Sequence, residues 1–462
     1  MQPPPSLWWS SLDQPVVPRR PLEQHLDVDV AIVGGGFTGL WTARELLRRD
    51  ATLRIAVLEQ SLCGFGASGR NGGWASALYP VGDDAAVARY GREEFTHLRT
   101  LLQRAVIELG AAAALDGINA DFVRGGSLTL ARSELQVRRL ESAVARARTV
   151  GVSEADLSWL DAAAARQRTA VSAVRGATFT PHCARIHPAR LVRGLADTVE
   201  HLGVRVYENT RVTRIVPGRK GHQPEVVTVG ASVHADYVVR ATEGFTPTLP
   251  GSRRNVVPIY SLMVASEPQS DEFWSEVGLA NYETFSDGRH LLIYGQRTAD
   301  NRIAFGGRGA PYHFGSTVEP RFDRNAKVFN LLEATLHELF PSLEGSVTHR
   351  WGGPLAMPRD HSPSVVVDLQ SGLASAGGYT GDGVVLSHVC ATALADLLTA
   401  PDQETAYTRL PFVQHSGRRW EFEPLRWLGI NAGLSLATWS DHHERRRGTT
   451  SRADRLLERL MS

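Results

Sequence analysis

Cysteine is scarce: three thiols, Cys63, Cys183 and Cys390, in 462 residues. They are too few and too scattered for a disulfide framework or a zinc site, so a reduced, cytoplasmic location is expected. Surplus charge is missing too. With 50 Lys and Arg against 49 Asp and Glu, the formal net charge is +1, and no nucleic-acid partner is expected. No stretch approaches the roughly 18 uninterrupted apolar residues of a membrane-spanning helix. The opening Met1-Gln2-Pro3-Pro4-Pro5 has neither the basic nor the apolar region of a secretion signal, which predicts a soluble, unsecreted protein. There is no internal repeat, no Ser-His-Asp set and no metal-ligand spacing. What is present is an ordinary globular composition, 42% hydrophobic and 21% charged, in a chain long enough for two domains.

Residues 1–26, with many prolines and the pair Trp8-Trp9, read as an arm packed on the body. Asp29–Val33 is a short apolar strand, Thr38–Arg49 a helix and Arg54–Leu58 a second strand, which makes a βαβ unit. Helical spacing recurs over Ala85–Leu109 and Ser133–Gln167, with a strand pair expected in Asp121–Leu130 between them. Pro188 opens a helix that Gly203 ends, and strands Arg205–Tyr207, Val212–Ile215 and Tyr237–Val239 follow. Leu291–Tyr294 and Arg302–Phe305 flank a turn at Ala299-Asp300-Asn301. The tail from Pro411 is aromatic and basic, reads as a packing element or else a partner surface or membrane contact around Trp420–Trp427, and ends in a helix over Arg452–Met461. The order predicts an α/β fold with an α+β second domain. A Rossmann-like nucleotide domain (27–110, 183–255, 346–405) is interrupted twice by an antiparallel-sheet substrate domain (111–182, 256–345), and residues 406–462 wrap the two.

Gly34-Gly35-Gly36-Phe37-Thr38-Gly39 sits at the strand-to-helix turn. Gly34 permits the tight turn, Gly36 leaves bare backbone for a pyrophosphate, and Gly39 lets helix and strand approach closely. The helix N-terminus offers free N–H groups to phosphate. Glu59, at the end of the next strand with Gln60 beside it, is placed to accept from ribose hydroxyls, and an acid there disfavours a 2′-phosphate.

That motif alone does not separate FAD from NAD. Two further glycine-rich loops point to FAD, which touches both ends of its domain. In Gly66-Ala67-Ser68-Gly69-Arg70-Asn71-Gly72-Gly73-Trp74, small residues and backbone donors suit a long anionic cofactor, with Ser68 and Arg70 available to its oxygens. Gly378-Tyr379-Thr380-Gly381-Asp382-Gly383-Val384 precedes a helix over 385–398. Its N-terminus suits the flavin edge that becomes negative on reduction.

Together with Val239–Thr242 and Arg302–Gly309, these strings resemble the D-amino-acid-oxidase-like FAD oxidoreductases of the glycine and sarcosine oxidase kind. Within them the resemblance is to the branch holding gamma-glutamylputrescine oxidase. It implies that Val212 contacts the adenine region through its backbone, that Thr242–Gly244 lie by the pyrophosphate, and that Gly381–Val384 lie by the flavin. Asp382 stands where that branch often has histidine, and an anion at the flavin edge would oppose reduction, so its side chain is expected to point elsewhere. Some members hold FAD through a cysteine. Trp351–Pro358, the corresponding stretch, has none, so noncovalent FAD is expected.

The chemistry implied is oxidation of the C–N bond of an amine or amino acid, with hydride transfer to flavin N5, an imine product, and O₂ or another acceptor taking the electrons. Trp74, Tyr260, Tyr294, Trp351 and Tyr379 are candidate aromatic walls for a cationic amine, each also a candidate core residue. Arg308 is either a carboxylate clamp or a sheet-edge arginine paired with an acid. His361 is either structural or the acceptor of the amine proton. Two alternatives stand beside this reading: a flavin monooxygenase using NAD(P)H, from the Gly381-Asp382 pair, and a non-catalytic flavin-binding subunit.

Overall fold

The computed structural model describes residues 2–450. Leu26–Val33 lies parallel between Ile55–Leu58 and Ser232–Arg240. Arg205–Tyr207 and Leu373–Gly377 extend the parallel order on either side. Ser364–Asp368 and the hairpin Val212–Val216/Glu225–Thr228 add antiparallel strands, for eight in all. The central strands read as continuous apolar runs because both faces are covered. Val30, Ile32, Ile55 and Val57 enter one core, while Ala31, Val33, Ala56 and Leu58 enter another. Helix Phe37–Arg49 packs on the first of these faces. Against it lies Gly383–Thr399, apolar on every side and buried along nearly its whole length.

The second sheet also has eight strands, in the order Val347–Met357, Val257–Ser266, Ile303–Gly307, Ile293–Arg297, Thr284–Asp287, Ser127–Ala131, Gly176–Thr180, Ser158–Asp161. Its pairs are antiparallel except Thr284–Asp287 against Ser127–Ala131. Val347–Met357 pairs along Val257–Ser266 over its whole length, so the chain leaves the second sheet after residue 357, later than the expected boundary at 345. A small ribbon, Trp74–Ser76 with Cys183–Arg185, lies outside both sheets.

Several local expectations give way to backbone effects. The helix expected over 85–109 is two, Asp83–Tyr90 and Arg92–Leu115, broken at Gly91, whose φ of +87° is left-handed. The stretch 133–167 contains strand Ser158–Asp161 between helices Glu134–Thr149 and Ala162–Arg168. Only Ser127–Ala131 forms a strand within 121–130, and Val123 makes a lone bridge to Arg185. The tail holds a helix, Leu425–Arg447, that has little amphipathic pattern to announce it; the helix expected over 452–461 lies outside the described residues. Among the described residues no helix is long and apolar enough to cross a membrane.

Candidate active site

The turn after Leu26–Val33 has the geometry its glycines require. Gly34 has φ +115°, and a Cβ on Gly39 would overlap the Gly34 carbonyl oxygen, so neither position accepts a side chain. Glu59 reaches back across the turn. Its carboxylate accepts from the backbone N–H of Gly35 at 2.9 Å and of Ser61 at 2.9 Å. Burial pushes Glu59 up to about 7 against those two donors, leaving a carboxylate that gains from any further donor.

The loop at 66–73 lies against the same helix. Ser68 Oγ accepts from the Phe37 N–H at 2.9 Å and so satisfies a first-turn donor. Asn71 braces the loop, donating to the carbonyls of Ala67 and Ser68 and accepting from Gly73 N–H. The N-terminal arm completes it. Leu7–Ser10 is a single buried helical turn, and Trp8 Nε1 donates to the Asn71 carbonyl at 2.8 Å. Arg70, expected to reach cofactor oxygens, instead donates through Nη1 to Asp323 and to the Gly352 carbonyl, both at 2.7 Å. Its guanidinium ties the loop to the second sheet.

A residue that the sequence reading placed only within the stretch Thr242–Gly244 joins the two ends of the site. Glu243, just after Ser232–Arg240, accepts from Gly378 N–H at 2.8 Å and Tyr379 N–H at 3.3 Å. Burial raises it to about 7, against those donors. The available signal was an acid close after a parallel strand, three residues beyond Arg240, as Glu59 stands just after Leu58. Tyr379 is held from its other end, its hydroxyl 2.8 Å from Thr38 Oγ1.

These elements enclose a cavity of about 1120 Å³ including its mouth. From the first motif it takes Gly34, Gly36, Phe37 and Thr38, with Glu59 and Gln60 from the following strand. Gly66, Ala67, Ser68 and Asn71 line it from the second loop, and Val212, Thr242 and Gly244 from the middle of the chain. The late loop gives Tyr379, Gly381, Gly383 and Val384. A second cavity of about 840 Å³ adjoins it, and Ala67, Asn71, Leu355, Gly381 and Val384 line both. Arg70, Gly72, Trp74 and Asp382 line only the second. Gly39, Gly73 and Gly378 line neither and act behind the surface, in close backbone packing.

The second cavity is amphiphilic. Trp74 and Tyr294 meet edge to face at 6.2 Å, and the Tyr294 hydroxyl is 2.8 Å from Ser261 Oγ. Arg308 lines it with Nη2 donating to the Thr380 carbonyl at 2.5 Å, so its fixed partner is a backbone oxygen rather than an acid. Asp382 also faces this cavity; burial lifts its carboxyl to about 6, and Arg308 opposes the rise. Three candidates are not brought in. Tyr260 is buried in the second sheet edge to face with His313 and Phe322, and Trp351 is buried with its indole donating to the Arg70 carbonyl. His361 sits in a left-handed turn (φ +59°) with its N–H on the Pro358 carbonyl. Burial and then Arg308 hold its ring below the usual histidine range.

The donors and acceptors of the first cavity fit FAD. Glu59 matches ribose hydroxyls, and the start of helix Phe37–Arg49 matches a pyrophosphate. A Cβ on Gly36 would lie 2.9 Å from Ser68 Oγ and fill the bare backbone where such a group approaches. The N-terminus of Gly383–Thr399 faces the junction of the two cavities. Fold and site together define a flavin-dependent oxidoreductase of two-domain plan. The chain belongs to the DAO family, FAD dependent oxidoreductase, whose model matches residues 29–397. It is 30% identical to gamma-glutamylputrescine oxidoreductase of Escherichia coli K12 over 413 residues, 88% of this chain and 92% of that one. Its fold is shared by glycine oxidase from Geobacillus kaustophilus, with TM-score 0.70, 24% identity, and coverage of 84% of this chain and 99% of that one. L-proline dehydrogenase from P. horikoshii matches at TM-score 0.65, 17% identity, 86% of this chain and 96% of that one.

Proposed function

We propose that the chain oxidises the C–N bond of a small amine or amino acid, with FAD held noncovalently in the first cavity and substrate in the second. The observation that carries this reading is the shared wall: Ala67, Asn71, Leu355, Gly381 and Val384 line both cavities. A ring seated at that wall faces the second cavity. When bound, FAD supplies the electron sink, accepting a hydride equivalent at N5 from the carbon next to nitrogen. The protein's part is binding, orientation and exclusion of water.

In this reading Glu59 and Gln60 hold the adenosine ribose, with Val212 beside the adenine. Gly36, Phe37, Thr38, Ser68, Thr242 and Gly244 flank the pyrophosphate. The start of helix Gly383–Thr399 presents its positive end where negative charge develops. Trp74 and Tyr294 form an apolar wall against which a substrate cation stacks. Asp382 pairs with the ammonium and takes one proton from it, leaving the neutral amine that can lose a hydride, while Arg308 pairs with a substrate carboxylate, so the two side chains orient the C–H toward the shared wall. The resulting imine hydrolyses after release.

The test is anaerobic bleaching of the flavin by a panel of amines, amino acids and polyamine conjugates. Bleaching by an amine without NAD(P)H is expected. Readmitting air to the hits then identifies the acceptor, since rapid recovery of colour with peroxide release means O₂. Bleaching only by NAD(P)H would point to a monooxygenase and overturn the proposal, and so would failure of every amine.

A further inference from the structure

A third cavity, about 560 Å³ with its mouth, is lined by Arg185, His187, Arg190, Gln296, Asp121 and Asp300, with Trp8 at its edge. Its two arginines face two aspartates, but no hydrogen bond joins Arg185 to either carboxylate, and both act on it only through space. Arg185 is 6% exposed. Its guanidinium lies 4.1 Å from the centre of the Tyr282 ring, and its Nε is buried with no hydrogen-bond partner. The two carboxylates of the cavity are committed elsewhere. Both Asp121 oxygens accept from Arg190 Nη1 at 3.1 Å. Asp300 accepts from Thr298 Oγ1 at 2.6 Å and from Arg302 Nε at 2.7 Å. His187 offers no charge of either sign, because burial and then Arg190 lower it to about 4. Gln296 is 1% exposed; its Nε2 donates to the carbonyls of Gly72 at 2.7 Å and Ile186 at 3.4 Å, while its Oε1 has no partner.

A buried guanidinium that no carboxylate hydrogen-bonds is costly, and an anion that enters and accepts its N–H groups recovers part of that cost. The fork of N–H donors matches a carboxylate. The free Gln296 acceptor asks in addition for an O–H or N–H. We infer that this third cavity is a binding site for a small carboxylate bearing a hydrogen-bond donor, such as a hydroxy acid or amino acid, held by Arg185 and Gln296. The site is separate from the two cavities that meet at the shared wall, but it is wired to the second. Arg185 lies directly across the small ribbon from Trp74. Gln296 holds the Gly72 carbonyl and Trp8 the Asn71 carbonyl. Asn71, Gly72 and Trp74 all line the second cavity. Occupancy of the third cavity therefore changes the support of the substrate wall.

The test titrates the FAD-loaded protein with glycolate, read by calorimetry and by the flavin absorbance band. A saturable site with a spectral shift is expected in the wild type and is expected to persist in Arg308→Met, where the second cavity has lost its carboxylate clamp. Arg185→Met is expected to weaken glycolate by at least about tenfold. Ala299→Trp fills the mouth from an exposed turn that bears no core contact, and it is expected to weaken glycolate as much; it decides the matter if Arg185→Met does not fold. Absence of saturable binding to the wild type would overturn the inference, as would loss of binding in Arg308→Met or undiminished binding in Ala299→Trp.

Discussion

Glu59→Gln is the perturbation whose effect the geometry predicts most narrowly. The wild-type carboxylate takes two backbone N–H groups at 2.9 Å and faces the first cavity with its remaining lone pairs. Glutamine keeps the shape and one acceptor oxygen. It loses the charge and turns an NH₂ toward a backbone donor. A hydrogen bond to a charged group contributes about 1.5–3 kcal/mol, and each 1.4 kcal/mol is about tenfold in affinity. The variant should therefore bind FAD about 10–150-fold more weakly. Titration of apoprotein with FAD, followed by flavin fluorescence at pH 8 where Glu59 is ionised, measures this directly. Thermal unfolding of the apoprotein separates lost binding from lost folding. An FAD affinity within about threefold of wild type, in a folded variant, would refute the assignment of Glu59 to the ribose.

Three further outcomes follow from the same site. Arg308→Met should lower kcat/KM for carboxylate-bearing substrates by about 10–150-fold while sparing simple amines; equal loss for both classes would remove the clamp. Acid precipitation should release the flavin into the supernatant, since none of the three cysteines lines either cavity; a yellow pellet would contradict noncovalent binding. Glu243 is raised from 4.5 to about 7 in the folded state, so its contribution to stability is full below pH 4.5 and is lost as pH rises through 7, at about 1.4 kcal/mol per pKa unit. His187 and His388, both lowered to about 4, act in the opposite sense between pH 4 and 6.5. The difference between wild type and Glu243→Gln is therefore the quantity to measure. The melting temperature of wild-type apoprotein should fall relative to the variant from pH 5 to 8, and a constant difference would refute the assignment.

Legibility in the sequence tracked the range of the forces involved. The βαβ turn was readable because Gly34, Gly39 and Glu59 act within one local unit, where backbone sterics and spacing fix the outcome. Helix Gly383–Thr399 was readable for the same reason, its glycine turn and small apolar run lying together. The role of Glu243 was not, because its partners Gly378 and Tyr379 are more than a hundred residues away and only the parallel pairing of Ser232–Arg240 with Leu373–Gly377 brings them near. The tie of Arg70 to Asp323 was not legible for a related reason, since the two are far apart in the chain. Aromatic composition did not separate wall from core. Trp74 and Tyr294 face a cavity, Tyr260 packs on the opposite face of the second sheet, and Trp351 shares the face of Tyr294 but is covered by Trp8. The helix Leu425–Arg447 escaped because its apolar residues do not gather on one face.

The central claim is that substrate in the second cavity delivers electrons across the shared wall to a flavin in the first. Leu292 lines the second cavity and is 39% exposed, so Leu292→Trp fills that space without opening the core. The decisive measurement is stopped-flow anaerobic bleaching of this FAD-loaded variant by an amine that bleaches the wild type. The account predicts that FAD stays bound and dithionite still reduces it, while reduction by the amine slows at least about tenfold. Amine reduction at the wild-type rate would contradict it.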